Sequence, residues 1–171
     1  MTEFDTDSAP VPALIPVLIL EPDAWRFRGM AAVLEESGEV RVIGERNFAQ
    51  ILTLEQLPDE LNPRVCLLAH RLIIEYGLAT IPHITDLFSG IGVLVHGEHG
   101  SLEVAAEVLA VGAKGFFDLS EPLGYLPTAV KLASRGKMWG PREAVANDGA
   151  ACRGTIIDRT ESRRWTEPLR R

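Results

Sequence analysis

The sequence predicts an α/β protein with a doubly wound, five-stranded parallel sheet, in the (βα)5 order of a flavodoxin-like fold. Short apolar runs of three to five residues recur along the chain, and segments with helical periodicity separate them. Most runs are apolar at successive positions, which is typical of strands buried on both faces. Because right-handed crossovers place helices on both sides of a parallel sheet, this alternation favours the doubly wound arrangement.

The five predicted strands share their length and, for the first four, β-branched content. They are residues 16–20, 40–43, 65–68 and 92–95, and a weaker run at 115–117. Ligands of such sheets bind beyond the carboxyl ends of the strands. The residues that directly follow the runs are therefore the first candidates for a functional site.

Five helices are predicted after the strands. Asp23 is a favourable N-cap for the first helix and Gly38 ends it, while Ser101 is the N-cap expected for the fourth. Pro82 fits the third helix only within its first turn. The apolar positions are Trp25, Met30, Val33 and Leu34; Phe48, Ile51 and Leu52; Ile81, Ile84, Leu87 and Phe88; Leu102, Ala105, Ala106 and Leu109; and Leu123, Leu126, Val130 and Ala133.

The chain length of 171 residues allows one domain of ordinary size with short tails. We expect a flexible N-terminal arm at residues 1–12, a single α/β domain at 13–146 and an arginine-rich tail or linker at 147–171. From Cys152 onward the sequence contains six arginines and three acidic residues. Given the net charge of −7, the tail carries +3 and the residues before it −10.

Composition excludes several classes of protein. An acidic chain lacks the concentrated positive face that phosphate contacts need, so we expect no DNA binding by this chain alone. No stretch approaches the roughly 20 apolar residues of a membrane span, and the acidic N-terminus does not resemble a signal peptide. Two cysteines cannot build a disulfide framework. These features predict a cytoplasmic protein without membrane contact.

Four stretches, in order along the chain, carry a resemblance to a known family. They are Leu18-Ile-Leu-Glu-Pro-Asp23, the run from Pro63 to Ile81, Ala110-Val-Gly-Ala-Lys-Gly-Phe-Phe117 and Gly136-Lys-Met-Trp-Gly-Pro-Arg-Glu143. Over about residues 15 to 146 the chain resembles the receiver domain of bacterial response regulators, especially LuxR/FixJ-type regulators joined to a helix-turn-helix.

That resemblance implies a pocket with two acidic residues and a phosphoacceptor aspartate around Mg²⁺, plus a hydroxyl group and a lysine that stabilise the phosphoryl oxygens. This sequence departs at nearly every position: the corresponding residues are Glu21, Pro22 and Asp23, then Ala69, then His96 or the adjacent Gly97, then Leu119. An alanine methyl cannot form an acyl phosphate. We therefore expect a degenerate pseudo-receiver that is not an enzyme.

Histidines near the strand ends raise a second interpretation, a transition-metal site. Imidazole and carboxylate ligands suit zinc or nickel, and the candidates are His70, His96, His99, Glu21, Asp23 and Glu98. His70 alternates away from Ala69, however, and the stretch from His96 to His99 spans a turn. The simpler expectation is ordinary loop histidines, with no metal and no cofactor.

Trp139-Gly-Pro-Arg142 is similar to a Trp-x-Ser/Thr-Arg motif that binds cyclic di-GMP in one group of LuxR-type regulators. An indole stacks on guanine, and an arginine makes bidentate contacts. Gly140 and Pro141 depart from that motif, so inward packing of Trp139 is the favoured interpretation. A small-molecule sensor using Trp139 and Arg142 stays as the alternative function.

The last predicted helix carries more apolar residues than one face packed on a sheet requires. Exposed apolar surface of this kind marks a partner site, so we expect a dimer face at Leu123, Tyr125, Leu126 and Val130. The sequence thus predicts a phosphorylation-independent receiver-like domain. We expect it to act through protein contacts, as a homodimer with a protein partner or appended output domain, in signal transduction and transcription regulation.

Overall fold

The computed structural model describes residues 13–45 and 62–140, and in this part of the chain five parallel strands form one sheet in the order β2-β1-β3-β4-β5. The order confirms the predicted flavodoxin-like class. The strands are β1 Ile15–Leu20, β2 Val40–Glu45, β3 Val65–Ala69, β4 Gly92–Gly97 and β5 Gly115–Asp118. All five lie where the apolar runs predicted them.

The helices are α1 Ala24–Glu36, α2 His70–Tyr76, α3 Thr80–Leu87, α4 Leu102–Ala110 and α5 Leu126–Ser134, with a 3₁₀ turn at Leu123–Tyr125 before α5. Pro82 lies in the first turn of α3, as its missing N–H requires. The helix predicted around Ile51 lies outside the described residues. None of the described helices is long and apolar enough to span a bilayer.

Helix α2 was not predicted, because its seven residues are too few for a periodic signal. The chain leaves β3 at Ala69 in an extended conformation and enters the helix at His70 without a loop. Gly77 ends the helix at a φ of 89°, in the left-handed region that glycine tolerates.

Side-chain caps fix where α1 and α4 begin. The Asp23 carboxylate accepts hydrogen bonds from the backbone N–H groups of Trp25 and Arg26, both at 2.9 Å. The Ser101 hydroxyl accepts one from the N–H of Val104 at 3.2 Å. Both predicted N-caps are thereby confirmed, and each contributes about 1 kcal/mol by satisfying N–H groups that have no partner within the helix.

The sheet separates two apolar layers. Leu18, Cys66 and Val93 pack on one face with α2, α3 and α4. Ile19 and Leu67 face the other way, toward α1 and α5. Because neighbouring residues of a strand point to opposite faces, burial on both sides explains the continuous apolar runs.

Trp139 closes the core after α5, at the amino end of β5. Its backbone N–H donates to the carbonyl of Lys114 at 2.8 Å, and its carbonyl accepts from the N–H of Phe116 at 3.3 Å. A Cβ at Gly115 would collide with that carbonyl, so this close approach requires glycine. The indole is 8 % exposed and stacks on Phe117 with ring centroids 6.0 Å apart.

The buried indole makes a prediction about stability. We expect Trp139→Ala to lower the free energy of unfolding by roughly 3 to 5 kcal/mol, because a large cavity remains. Trp25, which is 81 % exposed, is the matched control, and Trp25→Ala should change stability by no more than about 0.5 kcal/mol. Urea denaturation measures both. Equal losses for the two variants would contradict the packing of Trp139.

Candidate functional site

Three residues of the degenerate pocket lie side by side at the carboxyl edge of the sheet. Leu20 of β1 pairs with Leu68 of β3, so Glu21 follows into the position beside Ala69. Ala69 in turn pairs with His96 of β4. Glu21, Ala69 and His96 thus form one row across three adjacent strands, with the alanine in the middle.

Glu21 and His96 approach each other across Ala69. The Glu21 Oε2 atom lies 3.7 Å from the His96 Nδ1 atom, and the two side chains are 2 % and 0 % exposed. Their strands are two spacings apart, about 10 Å in backbone distance, and Ala69 of the intervening strand adds only a methyl group to that row. A larger side chain at position 69 would compete for this space.

Burial decides the charge of the pair. It lowers the pKa of His96 to about 3, helped by the positive charge of Arg26, so the imidazole is neutral at physiological pH. Burial also raises the pKa of Glu21, although the N–H of Asp23, 2.8 Å from its Oε1 atom, opposes this. The contact is therefore not an ion pair, and at 3.7 Å it is too long for a hydrogen bond. Neither ring nitrogen of His96 has a partner among the described residues.

Arg26 and Glu98 form an ion pair between the first turn of α1 and the loop after β4. The guanidinium Nη2 atom lies 2.5 Å from the Glu98 carboxylate, and both side chains are about half exposed. A pair this exposed contributes at most about 1 kcal/mol. It nevertheless engages the Glu98 carboxylate with Arg26 and connects the segments that follow β1 and β4.

A small cleft of about 180 Å³ opens at this edge. Its lining contains two arginines, two carboxylates and the unpartnered imidazole, so charges of both signs face the same space. The lining residues are Glu21, Arg26, Ala69, His70, Arg71, Ile74, His96, Gly97 and Glu98. In the described ranges, no group of three or more His, Cys, Asp or Glu side chains has the geometry to hold a metal ion.

The remaining pocket residues have structural roles. Asp23 caps α1, and Pro22 is exposed beside it. Leu119 packs against the α1 and α5 layer and its N–H donates to the carbonyl of Gly97 at 2.8 Å. Its side chain is part of the core boundary and does not line the cleft.

The predicted nucleotide pair lies away from this cleft. Trp139 sits at the amino end of β5, the opposite edge of the sheet, and its indole stacks on Phe117. An indole that is 8 % exposed has no free face for a base. Arg142 lies outside the described residues.

The predicted dimer face needs a correction. Leu126 and Val130 are fully buried in the layer between α5 and the sheet, so they cannot contact a second chain. The apolar residues of this helix pack in the same buried cluster as Trp139 and Phe117. Of the four residues, Leu123 is half-buried and Tyr125 is 42 % exposed.

Sequence reasoning missed two residues that line the cleft, Arg26 and Ile74, whereas Arg71 directly follows the third apolar run and was among the first candidates. Arg71 and Ile74 are three positions apart in α2, so they share one face of the helix. A helix predicted to begin directly after the third apolar run would have placed Ile74 beside Arg71.

Comparisons with known proteins place the fold. Neither the family models nor the curated proteins compared with this chain yield a match. Among solved structures, the signal receiver domain of NarL from Mycobacterium tuberculosis is 24 % identical at a TM-score of 0.63, covering 74 % of this chain and 100 % of that one. A LuxR family DNA-binding response regulator from Silicibacter pomeroyi is 23 % identical at 0.61, covering 76 % and 99 %.

A third structure, a LuxR family two-component response regulator from Aurantimonas sp. SI85-9A1, has a TM-score of 0.65 at 16 % identity, covering 78 % of this chain and 94 % of that one. At such identities the likeness establishes the fold. The chain therefore has the fold of response-regulator receiver domains, as its sequence motifs indicated.

The buried imidazole predicts a specific pH dependence of stability. Because the pKa of His96 is about 3 in the folded protein and 6.5 when unperturbed, folding is favoured above pH 6.5 and loses stability as the pH falls. From about pH 7 to about pH 5 this histidine should cost roughly 2 kcal/mol. His96→Leu should remove that part of the loss in urea titrations.

The exposed His99 supplies the control. His99→Asn suits the positive φ of 56° at this position and should keep the wild-type pH dependence. Glu21 acts in the opposite direction, since its raised pKa disfavours the folded state as the pH rises. If His96→Leu and the wild type had identical pH slopes, the buried neutral imidazole would be refuted.

Proposed function

We propose that this chain is a phosphorylation-independent, receiver-like signalling domain of the cytoplasm that works through protein contacts and catalyses no reaction. The proposal includes a homodimer and a protein partner or output domain in transcription regulation. The observation that carries it is Ala69, which stands at the carboxyl end of the central strand between Glu21 and His96.

Among the described residues, three carboxylates near this edge already have partners within the protein. Asp23 accepts two backbone hydrogen bonds as the cap of α1. Asp118 accepts hydrogen bonds from the N–H of Gly100 and from Ser120. Glu98 is paired with Arg26. These side chains hold the loops in place, which supports a structural role for this edge.

The residues also do not fit Mg²⁺, the ion that a receiver fold implies. Mg²⁺ requires oxygen ligands in near-octahedral geometry, and Ala69 supplies none. Glu21 is the remaining buried carboxylate at this point, and the positive charge of Arg26 acts on it. A second cation beside that guanidinium would be repelled, so no step of the proposed function uses a metal.

The signalling part of the proposal rests on the fold. The three solved structures compared above belong to response regulators, and the Silicibacter pomeroyi protein is a DNA-binding one. A fold hosts many functions, but a receiver-like sheet with alanine at the phosphoacceptor position supports a role in which surface contacts carry the signal.

Phosphodonors test the proposal directly. Incubation with acetyl phosphate and Mg²⁺ should leave the mass of the intact protein unchanged, because no nucleophile stands at position 69. Ala69→Asp alone should also stay unmodified, since Pro22 and Leu119 still deny the ion a ligand and the phosphoryl group a counter-charge. The triple variant Pro22→Asp, Ala69→Asp, Leu119→Lys is the positive comparison. Phosphoryl incorporation into the unmodified chain would overturn the proposal.

The homodimer is tested by light scattering of the full chain at high micromolar concentration. We expect the wild type to have the mass of a dimer. Tyr125→Asp should shift the mass toward that of a monomer, because Tyr125 is the most exposed residue of the predicted dimer face. Leu14→Asp, at the opposite end of the sheet and 44 % exposed, should leave the mass unchanged. A monomeric wild type would remove the homodimer from the proposal.

A further inference from the structure

Three large exposed apolar side chains follow the carboxyl ends of neighbouring strands. Trp25, Ile74 and Leu102 are 81 %, 75 % and 46 % exposed, and they follow the ends of the adjacent strands β1, β3 and β4. Ile74 also lines the cleft. Single exposed apolar residues are common, but Trp25 and Leu102 lie in the first turns of helices that begin at the edge where the cleft opens, and exposed apolar surface of this kind marks a contact site. We refer to these residues and the strand-to-helix segments that carry them as the carboxyl-edge face.

The carboxyl-edge face also carries the negative charge of the domain. The described residues contain thirteen acidic and nine basic side chains, a formal excess of four. The segments that close β1, β3, β4 and β5 and begin the next helix hold six of the acids but only two arginines, a difference equal to the whole excess. The acids are Glu21, Asp23, Glu98, Glu103, Asp118 and Glu121, and the arginines are Arg26 and Arg71.

Beneath this surface lies an imidazole with an unmet hydrogen-bonding capacity. His96 lines the cleft, is 1 % exposed and has no partner for either ring nitrogen among the described residues. A buried polar group without a partner costs free energy. An incoming polar group that enters the cleft would remove this cost, so charge, apolar surface and the unpaired ring all favour an occupant.

We propose that the occupant is the C-terminal segment of the same chain, residues 153–171. It is complementary in charge, since it carries six arginines and +3 overall against −10 for the residues before Cys152. It also supplies apolar groups, Trp165 and Leu169, for the exposed side chains of the face. Tryptophan and arginine are the residues most enriched at the energetic centres of protein interfaces.

The chain is long enough to make this contact. Trp139 lies at the amino end of β5, so the segment must travel from one edge of the sheet to the other. A six-residue strand spans about 20 Å, whereas residues 141–152 reach about 40 Å when extended. The tail can therefore pass around the domain. The contact would cover the face that a partner could otherwise use. This proposal does not depend on whether the domain is phosphorylated.

Photo-cross-linking within the full chain tests the contact. A benzophenone amino acid replaces Trp25 on the carboxyl-edge face or, as the matched control, Leu14 before β1 at the opposite edge. After irradiation at low protein concentration, we expect adducts with peptides from residues 153–171 at position 25 and none at position 14. Adducts that omit the tail, that form equally from both positions, or that join two chains would each overturn the proposal.

Charge variants distinguish a specific contact from general attraction. Glu103→Lys with Glu121→Lys on the carboxyl-edge face should reduce the intrachain adduct several-fold, as should Arg163→Glu with Arg164→Glu in the tail. Glu35→Lys with Glu36→Lys, at the far end of α1, makes the same change in net charge and should leave the yield unchanged. An equal reduction by both lysine pairs would overturn the proposal, because net charge alone would then explain the adduct. Circular dichroism verifies that each variant is folded.

Discussion

The central strand β3 is buried at all five of its residues, and the rest of the molecule is organised by that burial. Its neighbours β1 and β4 are nearly as enclosed, so helices must cover both faces of the sheet. Polar chemistry is thereby excluded from the interior and confined to the edges. The residue on which β3 ends, Ala69, consequently decides what the carboxyl edge can do.

At that edge one small side chain has a large effect. The methyl group of Ala69 leaves room for Glu21 and His96 to meet above it, and burial then keeps the imidazole neutral. Arg26 lines the same cleft and forms an ion pair with Glu98. The end of β3 therefore carries Ala69 with Glu21 and His96 on either side, and a cleft of about 180 Å³ opens there.

The two edges of the sheet differ in kind. At the amino edge, Trp139 joins β5 and seals the core, which removes the indole from the surface. At the carboxyl edge, Trp25 and Ile74 remain exposed beside acidic loops. One edge therefore serves stability and the other is available for recognition, and this asymmetry underlies both the proposed signalling role and the proposed contact of the basic tail.

The sequence by itself determined the sheet, the cap of α1 and the absence of a carboxylate at position 69, because continuous apolar runs, Asp23 and Ala69 are local features. Tertiary structure alone decided how those residues are used. Register brought Glu21 and His96 together across Ala69, and packing buried Leu126 and Val130, which helical periodicity could not separate from an exposed apolar face. Helix α2, with Arg71 and Ile74, also escaped prediction, since seven residues hold too few turns for a pattern. Periodicity reports which residues are apolar, but only packing determines what covers them.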